Sequence, residues 1–184
     1  WIVPVGTKSF DDPSLLTGRE RFSALSAPGV AAVENLVVAF SSWRKPKGGA
    51  TTILLVGSDW IDGGLAPWNL IEGRLEDIRA PSGVAADRSY FSELGIDNID
   101  DTAEINGTKV RVAAVTKGIR SFTTLPFVFT TRERAQQRIG ASAQQSSYTL
   151  VRVEPGANAV KVRDELAARA FWAALYPEHP YGRQ

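Results

Sequence analysis

The chain has 184 residues, 43% hydrophobic and 22% charged, the composition of an ordinary globular protein. A folded chain of this size buries roughly 70% of the surface its unfolded form exposes, so no disulfide or structural metal is needed to hold it together. With no cysteine and one histidine it can build no disulfide scaffold, thiol nucleophile, thiolate-bound zinc or iron–sulfur cluster, and its net charge of +1 gives little drive toward nucleic acid or anionic membranes.

Trp1 to Val5 is apolar and β-prone and is followed by the turn material Ser9-Phe10-Asp11-Asp12-Pro13, which predicts a first strand. Thr17-Gly18-Arg19-Glu20 fits a capping box opening a short helix that buries Phe22 and Leu25 and stops at Pro28-Gly29. Val33 to Trp43 and Thr51 to Val56 are two β-prone runs around Arg44-Lys45-Pro46-Lys47-Gly48-Gly49, a segment too polar for a core. Strand, basic loop, strand predicts a long antiparallel hairpin with an exposed cationic tip.

Residues 59–86 are broken by Gly63-Gly64, Pro67, Gly73 and Pro81, with Trp60 and Trp68 among them, which predicts irregular structure or a change of subdomain. Asp87 caps a short helix that buries Tyr90, Phe91 and Leu94 and closes at Gly95. Asn106-Gly107 between β-prone runs is the preferred two-residue hairpin turn, and Val110, Val112 and Ala114 alternate with Lys109, Arg111 and Ala113 as on a half-buried strand. A strand at Pro126 to Phe129 leads into a second capping box at Thr130-Thr131-Arg132-Glu133 and a helix, and Gly140 to Ser147 suits a linker. A last strand, Tyr148 to Val153, precedes a helix from about Asn158 with Val162, Leu166, Ala170 and Ala173 on one face. The class is α+β, with a discontinuous unit of strands and two helices (1–60 and 145–184) and an inserted β-rich unit (61–144).

Catalytic motifs are missing from this sequence: no G-x-S-x-G, phosphate loop, G-x-G-x-x-G or H-E-x-x-H occurs. A triad would have to use His179, in a terminal segment where an exposed histidine is the ordinary state. Asp97, Asp100 and Asp101 lack the spacing of a calcium loop and suit turns; Asp59 and Asp62 flank Trp60. A hydrolase built from two distant carboxylates would be settled by their distance in space. Trp60 and Trp68 would suit a platform for a small ligand or carbohydrate. Trp43 with Arg44, Lys45 and Lys47 has two readings, a partner-binding element on a projecting hairpin or a solvated loop whose lysines deter edge pairing. Asn106-Gly107-Thr108 matches a glycosylation acceptor, although the turn already accounts for it.

The order of segments carries a resemblance. Pro28-Gly29-Val30, the hairpin, Leu55-Val56-Gly57-Ser58, Gly73-Arg74, Val84 to Gly95, Ala103 to Val115, Gly118 to Phe122, Phe127 to Thr131 and Leu150 to Ala157 together resemble the extracytoplasmic domain of MacB-type, FtsX-superfamily ABC transporter permeases, closest to the DevC-like branch. The resemblance covers about residues 25–170, and the tail from Phe171 departs from it. It implies a porter-like subdomain with an inserted β-rich one, on the periplasmic side of the inner membrane between two membrane helices; the missing methionine fits such an excised piece. It also implies a homodimeric transporter whose ATP is hydrolysed by a separate cytoplasmic domain or subunit. The outer domain would have no catalytic residue, metal or cofactor and would pass motion to a periplasmic adaptor protein for export or efflux.

Overall fold

The computed structural model describes residues 1–4, 7–10, 15–60, 65–120 and 124–175, with side chains to residue 169. In chain order the elements are α1 (Arg19–Leu25), β1 (Val30–Arg44), β2 (Ala50–Ser58), β3 (Leu70–Gly73), α2 (Leu75–Ile78), β4 (Gly83–Asp87), α3 (Phe91–Leu94), β5 (Thr102–Ile105), β6 (Thr108–Thr116), β7 (Phe127–Thr131), α4 (Arg132–Ile139), β8 (Tyr148–Val153) and α5 (Ala159–Leu175). This is the α+β class expected, and the long hairpin is present as β1 and β2.

The eight strands share one sheet, part of which closes on itself. β1 pairs with β2, β2 runs parallel to β7, β7 pairs antiparallel with β4, and β4 runs parallel to β6. The β5–β6 hairpin then returns to the far end of β1 at Trp43 and Arg44. All six strands of this ring contribute to one buried cluster that includes Val37, Ile53, Val84, Ile105, Val112 and Val128, so the ring is a small barrel filled by side chains. Phe91 and Leu94 of α3 and Ala135 of α4 belong to the same cluster. β8 lies outside the ring, paired with the first half of β1, and β3 pairs with the last residues of β6.

A second cluster covers the outer face of the sheet, with Leu36, Val38, Leu54, Val56, Ala85, Phe127, Phe129 and Tyr148 packed under Trp60 and Ile78. Strands buried on both faces need apolar residues at successive positions, which is why Val33 to Val38 and Ile53 to Val56 show no clean alternation. Each fully buried Leu or Val here contributes roughly 1.5–3 kcal/mol relative to exposure.

Several expectations need correction. Trp1 to Val5 does not form a strand in the described residues: Ile2 makes a single bridge to Thr149, and Val5 and Asp11 to Pro13 lie outside the description. In α1 the buried residue is Ala24, while Phe22 and Leu25 are 52% and 45% exposed, because this seven-residue helix meets β1 through its small side. The Glu20 carboxylate accepts from Gly18 N–H at 2.9 Å, but the Thr17 hydroxyl turns to that carboxylate rather than to a free amide. Thr131, not Thr130, caps α4. The alternation in β6 breaks after Val112. β6 holds one more residue than β4 between the pairs Val84–Val112 and Ala85–Ala114, so Ala114 turns to the outer cluster and Val115 back to the inner one. Residues 140–147 are no loose linker. Gln136 Nε2 donates to the carbonyls of Ala143 and Gln145 at 3.1 and 2.7 Å, and the buried Ser147 hydroxyl bonds both backbone groups of Val38. In α5 Val162 is buried, and the side chains of Ala170 and Ala173 lie outside the description.

Other local expectations are met. Asn106 and Gly107 adopt φ of 48° and 80°, as a two-residue turn of this hand requires. Asp87 accepts from Ser89 N–H at 2.9 Å and, fully buried, also from the Ser89 and Thr116 hydroxyls and Ile119 N–H. Burial alone would raise its pKa, but these donors outweigh it and hold the carboxyl below the usual range.

Candidate functional site

The candidate contact element is the end of the β1–β2 hairpin. Trp43 does not fit the expectation of a surface contact residue: its side chain is fully buried, and its indole N–H donates to the Leu94 carbonyl at 2.9 Å. A large ring flanked by Val- and Ile-rich strands gains more inside the barrel than at its rim, so Trp43 anchors the tip and leaves its display to Arg44, Lys45 and Lys47. The loop is closed by Lys45 N–H to Gly49 O at 2.9 Å and Gly48 N–H to Lys45 O at 3.1 Å. The stem of Lys45 lies along Gly95, where a Cβ would come within 3.2 Å of it.

The tip is cationic in sequence, and two of its three cations are paired in space. Lys47 Nζ sits 3.0 Å from Asp97, and Arg44 Nη1 sits 3.7 Å from Glu104. Thr51 donates to Glu93 at 3.3 Å, tying the loop base to α3. Asp101 accepts the N–H groups of Asp97 and Asn98 at 2.7 and 3.0 Å, which hold its carboxyl below the ordinary range and fix the turn that presents Asp97. These ion pairs are exposed and of the kind worth roughly 0–1 kcal/mol, so a partner can exchange them at small cost. Beside the tip an open groove of about 570 Å³ is lined by Ser42, Arg44, Gly49, Ala50, Glu104, Asn106 and Gly107. Asn106 is more than a turn former. Its Oδ1 accepts from Ser42 N–H at 2.9 Å and its Nδ2 donates to the Arg138 carbonyl at 3.1 Å, which engages the nitrogen a glycan would need.

The other sequence candidates are dispersed. Trp60 is buried in the outer cluster with Arg79 5.6 Å from its ring centroid, so it offers no platform; Trp68 is half exposed and meets Phe129 edge-on. Asp59 pairs with Arg132 at 2.6 Å and Asp100 pairs with Arg111, while Asp62 and His179 lie outside the described residues. Among the described residues no group of three or more His, Asp or Glu could hold a metal, and no helix is long and apolar enough to cross a membrane. Spacing in the sequence did not point to Glu34, buried in β1, whose carboxylate accepts from the Ser58 hydroxyl and from Trp60 N–H at 2.9 Å. Nor did it point to Arg138, whose partners lie 57 and 8 residues away along the chain. Only an unusual polar residue inside an apolar run, as at Glu34, could have signalled such a site.

Comparison with known proteins gives a consistent result. Residues 1–169 match the family model described as the MacB-like periplasmic core domain. The extracellular domain of the noncanonical ABC-type transporter YknZ from Gram-positive bacteria superposes with a TM-score of 0.64 at 17% identity, over 96% of this chain and 90% of that one. The periplasmic region of MacB from Actinobacillus actinomycetemcomitans gives 0.63 at 16% identity, over 91% and 80%. No curated protein sequence matches.

Proposed function

Because the chain belongs to the family of MacB-like periplasmic core domains, we propose that it is the non-catalytic extracytoplasmic part of an ABC transporter permease that relays ATP-driven motion to a periplasmic adaptor protein for export or efflux. In this reading it stands on the periplasmic side of the cytoplasmic membrane, held there by membrane helices, and it works as a homodimer. ATP hydrolysis belongs to a separate cytoplasmic domain or subunit. The family match over nearly the whole chain is the observation that carries the reading.

The geometry supports a mechanical role for the hairpin. β1 is 15 residues long, and one continuous strand joins the α1 and β8 side to the barrel. A displacement at its first half must reach the tip, since Trp43 is locked to Leu94 and the closed ring leaves no free edge along which the hairpin could slide. We therefore place the adaptor contact at Arg44, Lys45 and Lys47. We keep, as part of the same proposal, the division into a porter-like unit of residues 1–60 with 145–184 and an inserted β-rich unit of residues 61–144.

Co-purification from membranes tests this. The full permease should retain its cognate adaptor, and the triple reversal Arg44→Glu, Lys45→Glu, Lys47→Glu should lower retention about tenfold, the effect of roughly 1.4 kcal/mol, with ATPase turnover present. Failure of the adaptor to co-purify even with the wild-type dimer would overturn the reading.

A further inference from the structure

The tip is the obvious cationic segment, yet the arginines without acidic partners lie elsewhere. Arg138 on α4 is 8% exposed; its Nη1 donates to the Thr130 hydroxyl at 3.1 Å and its Nη2 reaches the Pro81 carbonyl at 3.4 Å. Its Nε is buried with no hydrogen-bond partner. Arg134, one helical turn earlier, donates only to the neutral Gln137 side chain, and its positive charge, after burial, depresses the pKa of Arg138. Arg79, two residues before Pro81, lies over Trp60. Among the described residues none of the three has an ion-pair partner.

Among the described residues no neighbouring acid pairs with these arginines. Asp59 pairs with Arg132, Asp77 with Arg74, and Glu133 accepts from Gln137. Glu76, three residues before Arg79, is exposed and makes no ion pair. A buried guanidinium beside a second one, with no carboxylate, is an uncompensated charge, costly to keep unless an anion completes it. Guanidinium groups present planar forks of N–H donors that match the oxygens of carboxylate and phosphate.

We propose that Arg134 and Arg138 form an oxyanion-binding site at the junction of α4, the end of β7 and the turn before β4. Its ligand is a carboxylate, as on an acidic peptide, or a phosphate. This site is independent of the adaptor contact at the tip, so either can fail without the other.

Thermal unfolding of the intact domain tests it. Inorganic phosphate and a hexaglutamate peptide are added in turn, each against sodium chloride of equal ionic strength. At a ligand concentration about ten times Kd, one or both should raise Tm by roughly 3–6 °C beyond the chloride control; the one that does identifies the source of the oxyanion. Arg134→Gln, which disturbs only an exposed hydrogen bond, should remove most of that extra shift. Arg138→Lys keeps a cation but loses the fork and should weaken it, whereas Lys47→Gln at the tip should leave it unchanged. Equal melting in phosphate, hexaglutamate and chloride, or an anion-dependent shift that survives in both arginine variants, would overturn the proposal.

Discussion

The domain carries two cationic regions built on opposite logic. At the hairpin tip the charges are contiguous in sequence and at least partly exposed, and two of the three are matched by acids, Lys47 by Asp97 and Arg44 by Glu104. On α4 Arg134 and Arg138 lie one turn apart, and the buried Arg138 faces a hydroxyl and a carbonyl from other segments instead of an acid. A basic run in a sequence is therefore a poor guide to unneutralised charge: acids that cancel most of it fold in from α3's flank and β5, while Arg138 is buried without an acid against Thr130 and Pro81, which the fold brings to it.

The comparison can be broken most severely at the anchor of the tip. Trp43→Ala removes a fully buried indole and its hydrogen bond to Leu94 and should cost about 3–5 kcal/mol in denaturant unfolding. A loss under 1 kcal/mol would mean that the tip is not locked to the barrel. On the side of α4, a Cβ at Gly57 would collide with the Ala135 Cβ and lie 3.1 Å from the Thr131 carbonyl. Gly57→Ala should therefore displace α4 and destabilise by about 1–3 kcal/mol, measured the same way, and it should disturb the arginine region while sparing the tip.

Asp87 belongs to neither region and serves as a pH control. Its folded pKa lies below the unfolded one, so its contribution is fully present above about pH 4 and is lost as pH falls through the folded value. Asp87→Asn should cost about 1–3 kcal/mol at neutral pH, since donors then face an amide, and should flatten the acid limb of a stability–pH curve. Unchanged acid dependence would remove Asp87 as its source.

The smallest effects separate the two regions most sharply. Arg138→Met removes an uncompensated buried charge and should leave stability unchanged or raise it by about 1 kcal/mol. Lys47→Ala breaks an exposed pair and should cost less than about 1 kcal/mol, an effect that shrinks with salt. A large loss in Arg138→Met would show that the guanidinium is a structural cross-link and not a site left open.

Local chemistry was legible in the chain wherever a short segment decides its own shape. The Asn106-Gly107 turn, the Asp87 cap and the hairpin around Arg44 to Gly49 follow from residues within a few positions of each other. Closure of the ring was not, because it depends on Trp43 meeting Ile105 and on β2 running beside β7, pairings across sixty residues or more that no local pattern encodes. The same holds for burial. Phe22 is apolar and in a helix, as expected, yet it faces solvent because the packing surface under α1 admits only Ala24. Trp43 looked like part of the display and is its root, a distinction set by the barrel interior. Arg138 is the extreme case: its i,i+4 spacing from Arg134 is visible in the chain, but its burial against Thr130 and the Pro81 carbonyl is not.

The most direct measurement is site-specific photo-crosslinking in membranes containing the full transporter and its cognate adaptor, with the crosslinker at position 47 on the tip and, in a second sample, at position 163 on the exposed face of α5. A covalent adduct with the adaptor from position 47 and none from position 163 is the expected result. Adducts from position 163 alone, or from neither position while the adaptor is bound, would contradict the assignment of the hairpin tip as the element that carries motion to the adaptor.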